Sequence, residues 1–185
     1  MKILTINNKT EEKFLRKRAA DFDFSKKSSS DKPWKTTSGQ EFTKKEMQEI
    51  IKNMKETMKS ANGIGLSANQ VGLDMQLFVA GLPTQPENSK SGAPKFYAIF
   101  NPKISKPSEK KIITEEGCLS VPGIWGDVER PEKITLTGFD KYGKETKIKA
   151  IGLLARIFQH ETDHLNGILF IDKATSIHKH EPNNK

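Results

Sequence analysis

The chain has 185 residues, 34% of them hydrophobic and 29% charged, with a formal net charge of +8. That length suits one domain with an enclosed core, and no apolar run approaches the ~20 residues of a membrane-spanning helix. Cys118 is the only cysteine, which excludes an internal disulfide and fits a reducing compartment.

The opening stretch MKILTINNKTEEKF turns polar and acidic too early for a secretory signal, so a cytoplasmic location is expected. Positive charge favours polyanions such as RNA-rich surfaces. The lysines are mixed with acids, however, and no aromatic-interleaved basic stripe stands out. A solvated cationic surface is therefore the plainer reading, and specific DNA contact is not expected.

Residues 25–40, SKKSSSDKPWKTTSGQ, read as an extended surface loop. Thr43-Lys44-Lys45-Glu46 is a capping-box signature. After it, Met47, Ile50, Ile51, Met54 and Met58 recur at helical intervals, predicting an amphipathic helix from Lys44 to Ser60 stopped by Asn62-Gly63. MQLFVAGL (75–82) suits a buried strand, and the Pro/Ser/Gly-rich stretch 82–95 reads as an enlarged loop leading to a second strand, FYAIFNP. KKIITEE reads as another strand. EKITLTGFD and ETKIKAI flank Lys141-Tyr142-Gly143-Lys144 as a hairpin.

GLLARIFQHETDHLNG is the last predicted helix, apolar at Leu153, Leu154, Ile157 and Phe158 and capped at Gly167. Residues 1–172 are expected to form one domain and 173–185 a mobile tail. Helices and strands do not alternate strictly, which argues for an α+β fold. In that fold, antiparallel or mixed sheets would pack around the last helix, with the earlier amphipathic helix N-terminal to it.

Within that last helix, His160, Glu161 and His164 form H-E-x-x-H, placing two imidazoles one turn apart on one face. A metal gripped this way needs a further ligand. Metzincin proteases continue H-x-x-G-x-x-H, but Phe170 stands where that third histidine belongs. Thermolysin-like enzymes use a Glu on a later helix, and here only a short tail holding Glu181 follows. Upstream, Cys118 is the conspicuous candidate. A His₂Cys set would leave one position open, as a catalytic metal requires. Spacing alone leaves two plainer readings open: a structural histidine pair, and a cysteine buried as a small hydrophobe.

Three ordered motifs are present: Gly63-Ile64-Gly65-Leu66-Ser67-Ala68-Asn69-Gln70, then EGCLS at 116–120, then QHETDHLNG at 159–167. With them the sequence resembles the peptide deformylase family, continuously from about Phe42 to Asp172. The resemblance implies metal-dependent hydrolysis of the N-formyl group from the N-terminal formyl-methionine of newly made polypeptides, releasing formate. It implies one divalent metal ion per chain on Cys118, His160 and His164, with Fe(II) favoured and Zn, Ni or Co also compatible. Metal-bound water is the implied nucleophile and Glu161 the general acid/base. The Gln70 side chain and the Leu119 backbone N–H are implied to bind the carbonyl oxygen.

Gly63 and Gly65 would let a substrate strand approach by edge pairing. Ile64, Leu153 and Ile157 would line the methionine pocket, with Glu116 and Gly117 at its wall. Arg130 and Asp163 would form an ion pair that orients the ligands. Formyl-methionyl nascent polypeptides are the implied partners, and the basic surface would allow docking at the ribosome. Ser67 and Asn69 depart from the residues common in the first motif, which puts groove shape in question rather than chemistry. Rival readings are a zinc peptidase, a basic RNA-binding module, and Cys118 acting as the nucleophile.

Overall fold

A computed structural model describes residues 1–24, 33–82 and 95–179. In chain order it begins with α1 (Lys9–Leu15), β1 (Phe22–Asp23), β2 (Trp34–Thr36), β3 (Glu41–Phe42), α2 (Lys44–Ser60) and β4 (Gly65–Ser67). Then come β5 (Leu77–Gly81), β6 (Phe96–Ser105), β7 (Lys111–Cys118), β8 (Val121–Pro131) and β9 (Lys133–Phe139). β10 (Glu145–Ile151), α3 (Leu153–Leu165) and β11 (Ala174–Lys179) complete it.

Among the described residues all strand pairs are antiparallel, in three sheets ordered β1-β2-β3, β10-β9-β6-β5-β4 and β11-β8-β7. The large sheet is sandwiched between helices. Met47, Ile51, Met54 and Met58 of α2 pack with Leu66, Leu77, Val79 and Phe100. Ala155, Ile157, Phe158 and Leu165 of α3 pack with Phe78, Ile99, Ile134 and Leu136 on the opposite face. β5 thus buries alternate residues on each side, which is why its sequence is a continuous apolar run. Val121, Val128, Leu169 and Phe170 form a smaller core under the third sheet.

Local chemistry sets the helix ends. Thr43 accepts from the Glu46 N–H while Glu46 accepts from the Thr43 N–H, a reciprocal cap worth about 1 kcal/mol. Asn62 takes a left-handed φ of 55° and the Gly63 N–H closes onto Met58 O at 2.8 Å, ending α2. Gly167 ends the α3 region at φ +77°, and a Cβ there would run into the Arg16 carbonyl.

Four segments differ from the sequence expectation. Residues 33–40 do not form a plain loop, because Trp34 is buried with its ring edge-on to Phe100 at 5.4 Å and carries β2 into a small sheet. The rest of that predicted loop, 25–32, and the core of the 82–95 loop, 83–94, lie outside the described residues. β8 reads poorly as a strand because Pro122, Gly123 and Gly126 interrupt it, yet it is the centre of its sheet. The tail set apart as mobile begins with β11, whose backbone pairs with β8 along 174–179; 180–185 are not described. β11 buries little side-chain surface, so its place is fixed by backbone hydrogen bonds that apolar patterning does not register. α1 went unread for its shortness, although Asn8 caps it by accepting from the Thr10 and Glu11 N–H groups.

Candidate metal centre

Two elements deliver the reactive side chains. β7 ends at Cys118, and α3 brings His160 and His164 to the same point one turn apart. Cys118 Sγ lies 3.0 Å from His164 Nε2, and the two imidazole Nε2 atoms are 3.2 Å apart. One ligand atom from each of the three residues falls within 4.8 Å of the others. The thiol that spacing could only nominate is therefore beside both rings.

The surroundings hold this cluster in place. Glu116 Oε2 is 2.9 Å from His160 Nδ1, which leaves the Nε2 of that ring directed at Cys118 and His164. Glu116 also accepts from Arg130 Nε at 2.6 Å, Arg130 Nη2 at 3.0 Å and Arg156 Nη1 at 2.6 Å. Arg130 Nη1 donates to Asp163 at 2.7 Å, and Lys173 donates to the same carboxylate. Both Arg130 and Glu116 are buried, so each charge depends on the other for compensation. Glu116 was expected simply as a pocket wall. It lines the cavity, but its carboxylate is already held by an imidazole and two guanidinium groups.

Gln70 sits in a short 3₁₀ turn after β4. Its Oε1 accepts from the Ser67 N–H at 2.9 Å and from Ser67 Oγ at 3.0 Å, which orients its amide. Nε2 then points to Cys118 Sγ at 3.4 Å and Ser120 Oγ at 3.1 Å. Asn69, the other unusual residue of that motif, donates to His164 O at 2.5 Å and ties the turn to the end of α3. Both departures from the motif are thus bracing groups.

Burial and neighbours shift the acids and bases. Burial opposes ionisation of Glu116, but His160 and Arg130 hold its carboxyl well below the ordinary carboxylate range. Burial alone would raise the Cys118 thiol, yet the imidazoles of His164 and His160 bring it down to about 5. His160 is disfavoured as a cation by burial, but Cys118 and Glu116 push it up to about 10. Burial pushes Glu161 up to about 7 against the pull of both histidines. Its Oε2 and His164 Nδ1 are buried without a hydrogen-bond partner among the described residues. A thiolate that requires a nearby positive charge, with two imidazole nitrogens aimed at it, fits a divalent cation with mixed sulfur and nitrogen preference.

A cavity of about 500 Å³ opens onto the cluster. It lies between two sheet edges, since β4 ends the large sheet and β7 ends the third. Gly63, Ile64, Gly65, Gly117, Leu153 and Ile157, named in the sequence as substrate-side candidates, line it, and so does Leu119, named there for its backbone N–H. Ile64 and Leu153 are 38% and 50% exposed, an apolar rim awaiting a partner, whereas Ile157 is buried and also belongs to the α3 core. Trp125 and Arg156 line the cavity too and were missed. Trp125 reaches it because Gly117 opposite has no side chain; a Cβ there would fall 2.8 Å from the indole. Arg156 was hidden inside an otherwise apolar helix turn.

The sequence profile of the family described as Polypeptide deformylase matches residues 32–180. The chain belongs to that family. Solved deformylase-family structures superpose closely: a probable peptide deformylase from Synechococcus phage S-SSM7 has a TM-score of 0.73 at 38% identity, covering 94% of this chain and 99% of that one. A Synechococcus elongatus peptide deformylase in complex with actinonin gives a TM-score of 0.73 at 35% identity, over 95% of this chain and 79% of that one. Among curated relatives, the peptide deformylase of Carboxydothermus hydrogenoformans is 58% identical over 80 residues, 43% of this chain and 51% of that protein. The matched stretch thus spans about half the length of such relatives. Membership agrees with mixed helices and antiparallel sheets, and among the described residues no helix is long and apolar enough to cross a membrane.

Proposed function

We propose that this chain is a metal-dependent hydrolase that removes the N-formyl group from the N-terminal formyl-methionine of newly made polypeptides, releasing formate. The observation that carries this reading is the convergence of Cys118, His160 and His164 beside a buried Glu161, at the floor of an apolar cavity. α3 is read as the central helix around which the sheets pack, and residues 1–172 as the catalytic unit.

Cys118 Sγ, His160 Nε2 and His164 Nε2 would hold one divalent ion. Fe(II) is favoured, with Zn, Ni and Co accepted by the same donors. When bound, the cation supplies an acidified water with a pKa near ~7 and polarises the substrate carbonyl. Glu161, kept dry and with one oxygen unpartnered, takes up a proton and delivers it to the departing amine nitrogen. The Gln70 Nε2–H₂, fixed by Ser67, and the Leu119 backbone N–H donate to the oxygen on which charge develops. Glu116 orients His160, and Arg130 with Asp163 holds Glu116 in turn.

Methionine would sit against Ile64, Leu153 and Ile157, while the following residues extend along β4 or β7 by edge pairing. Gly65 keeps the Glu161 carboxylate in reach, since any Cβ there would overlap it. Formyl carries only hydrogen on its carbonyl carbon, so a tight site excludes acetyl and longer acyl groups. Formyl-methionyl nascent chains are the partners, met at the ribosome in the cytoplasm.

The test is formate release from formyl-Met-Ala-Ser by anaerobically prepared, metal-replete protein, with acetyl-Met-Ala-Ser as control. Turnover of the formyl peptide that is abolished by a chelator and restored by Fe(II) supports the reading. Activity that survives chelation and is lost on alkylation of Cys118 would instead make the thiol the nucleophile.

A further inference from the structure

Among the described residues, one half of the large sheet presents a cationic face that no helix covers. α2 packs over β4 and β5, and the aromatic cluster of Phe22, Phe24 and Trp34 covers Phe100 and Phe139. Beyond these, the same face continues onto β6, β9 and β10. Register fixes which residues share it: Lys103 and Lys147 both pair with Thr137, Ser105 and Lys149 both pair with Thr135, and Lys133 pairs with Ile151. The alternate residues Ile134, Leu136, Ile148 and Ala150 turn inward to α3, so the lysines must turn outward. All are exposed.

The lysines form two adjoining groups. Lys106, Lys133 and Lys149 line one shallow depression, and Lys103 and Lys147 line the next. Elsewhere, Lys2, Lys17, Lys35, Lys110, Lys111 and Lys173 are each tied to a carboxylate. None of the five on this face is in an ion pair among the described residues. Lys44, Lys45 and Lys52 on α2 are likewise without an ion pair among the described residues, so it is the shared flat face and not the lack of ion pairs alone that sets this group apart. Glu145, beside Phe139, is the acid that shares the face itself, and Asp21 at the border is already bound to Arg18. Small side chains between the rows keep the surface flat. Its position matters as well: β10 and β4 are opposite ends of the sheet, four strand spacings or roughly 19 Å apart. A partner seated here leaves the cavity at the β4 edge open.

We infer that the β6-β9-β10 face is a docking surface for the phosphate backbone of duplex RNA. Rows of unpaired lysines on a flat sheet suit a polyanion with regularly spaced charges, bound through counterion release. Phe139, the aromatic side chain lining this face, is already stacked on Phe24 at 4.4 Å, so it does not offer a free ring to an unpaired base, which argues against single strands. Among the described residues, Ile151 is its one exposed aliphatic side chain of the kind that anchors a protein in a lipid surface. The choice of RNA over DNA rests on the proposed activity toward newly made polypeptides, which places the enzyme beside ribosomal RNA. The lysines themselves do not depend on that reading.

The test compares the full metal-replete chain with a triple variant, Lys103→Glu, Lys147→Glu and Lys149→Glu. A charge-matched control carries Lys44→Glu, Lys45→Glu and Lys52→Glu on the exposed side of α2. Binding to a short duplex RNA of arbitrary sequence is titrated across salt concentrations, and turnover of free formyl-Met-Ala-Ser is measured in parallel. The face variant is expected to lose at least tenfold in affinity, and its slope of log K against log salt should fall by about 2–3. The control should lose much less, and peptide turnover should be equal in all three. Equal weakening by both triples would overturn the inference, because net charge alone would then explain binding. So would binding to anionic vesicles or single-stranded RNA in preference to the duplex. A wild-type protein that binds duplex RNA but never releases formate would refute the activity while leaving the face intact.

Discussion

Replacing Gly65 by Ala perturbs the centre through a single methyl group. A Cβ built at this position falls 2.7 Å from Glu161 Cδ and 3.0 Å from Glu161 Cγ, whereas ordinary contact begins at 3.4 Å. The carboxylate must therefore retreat by about 0.7 Å or more from its present position beside the cluster. Misplacing a reacting group by ~1 Å costs on the order of 10²-fold in rate, equivalent to roughly 2.7 kcal/mol of barrier. Folding should not suffer, because Gly65 lies in a β-strand without a positive φ and Ala restricts the unfolded chain by about 0.4–1 kcal/mol. The assay is kcat and KM on formyl-Met-Ala-Ser, with thermal midpoint and bound metal measured on the same preparation. Gly65→Ala should lose about 10²-fold in kcat with midpoint and metal content near wild type. Wild-type turnover would refute the claim that this glycine exists to seat Glu161; loss of metal would show that the clash moves the ligands instead.

Four further substitutions separate the site from the scaffold. Gln70→Ala should lower kcat by about 10²–10³ with little change in metal content, and Ser67→Ala, which removes the hydroxyl contact to the Gln70 carbonyl but keeps the backbone N–H donor, should do so less. Arg130→Ala should weaken metal affinity by roughly 10–100-fold, and should destabilise the fold by about 3–5 kcal/mol because Glu116 and Asp163 lose a buried partner; metal titration and urea denaturation check both. Trp34→Ala should cost about 3–5 kcal/mol in denaturant stability while leaving turnover of the folded fraction unchanged, since the ring packs on Phe22, Phe24 and Phe100, remote from the metal ligands.

The sequence made α2 and the hairpin of β9 and β10 legible because both depend on one-sided burial, which leaves a period in the chain. The three ligands were legible for a different reason. Spacing could only nominate Cys118 as a partner for the two histidines; the resemblance to the deformylase family implied the trio, and the fold brings one ligand atom from each within 4.8 Å of the others. What escaped was set by partners distant in sequence. β8 and β11 are held by backbone pairing that composition does not encode. Arg156 looks like the polar side of a helix until Glu116, Val128 O and Ile112 O are seen around its guanidinium. Glu116 likewise reads as part of a motif, and its task of steering His160 emerges only when β7 and α3 meet. The role of Asn69 depended on proximity to the His164 carbonyl, 95 positions away in the chain.

The most direct measurement is X-ray absorption at the metal edge of anaerobically reconstituted protein, for wild type and Cys118→Ser. Wild type should show one ion per chain bound by one sulfur and two imidazole nitrogens, and the variant should lose the sulfur contribution. A wild-type spectrum lacking sulfur, or one unchanged by Cys118→Ser, would contradict the account.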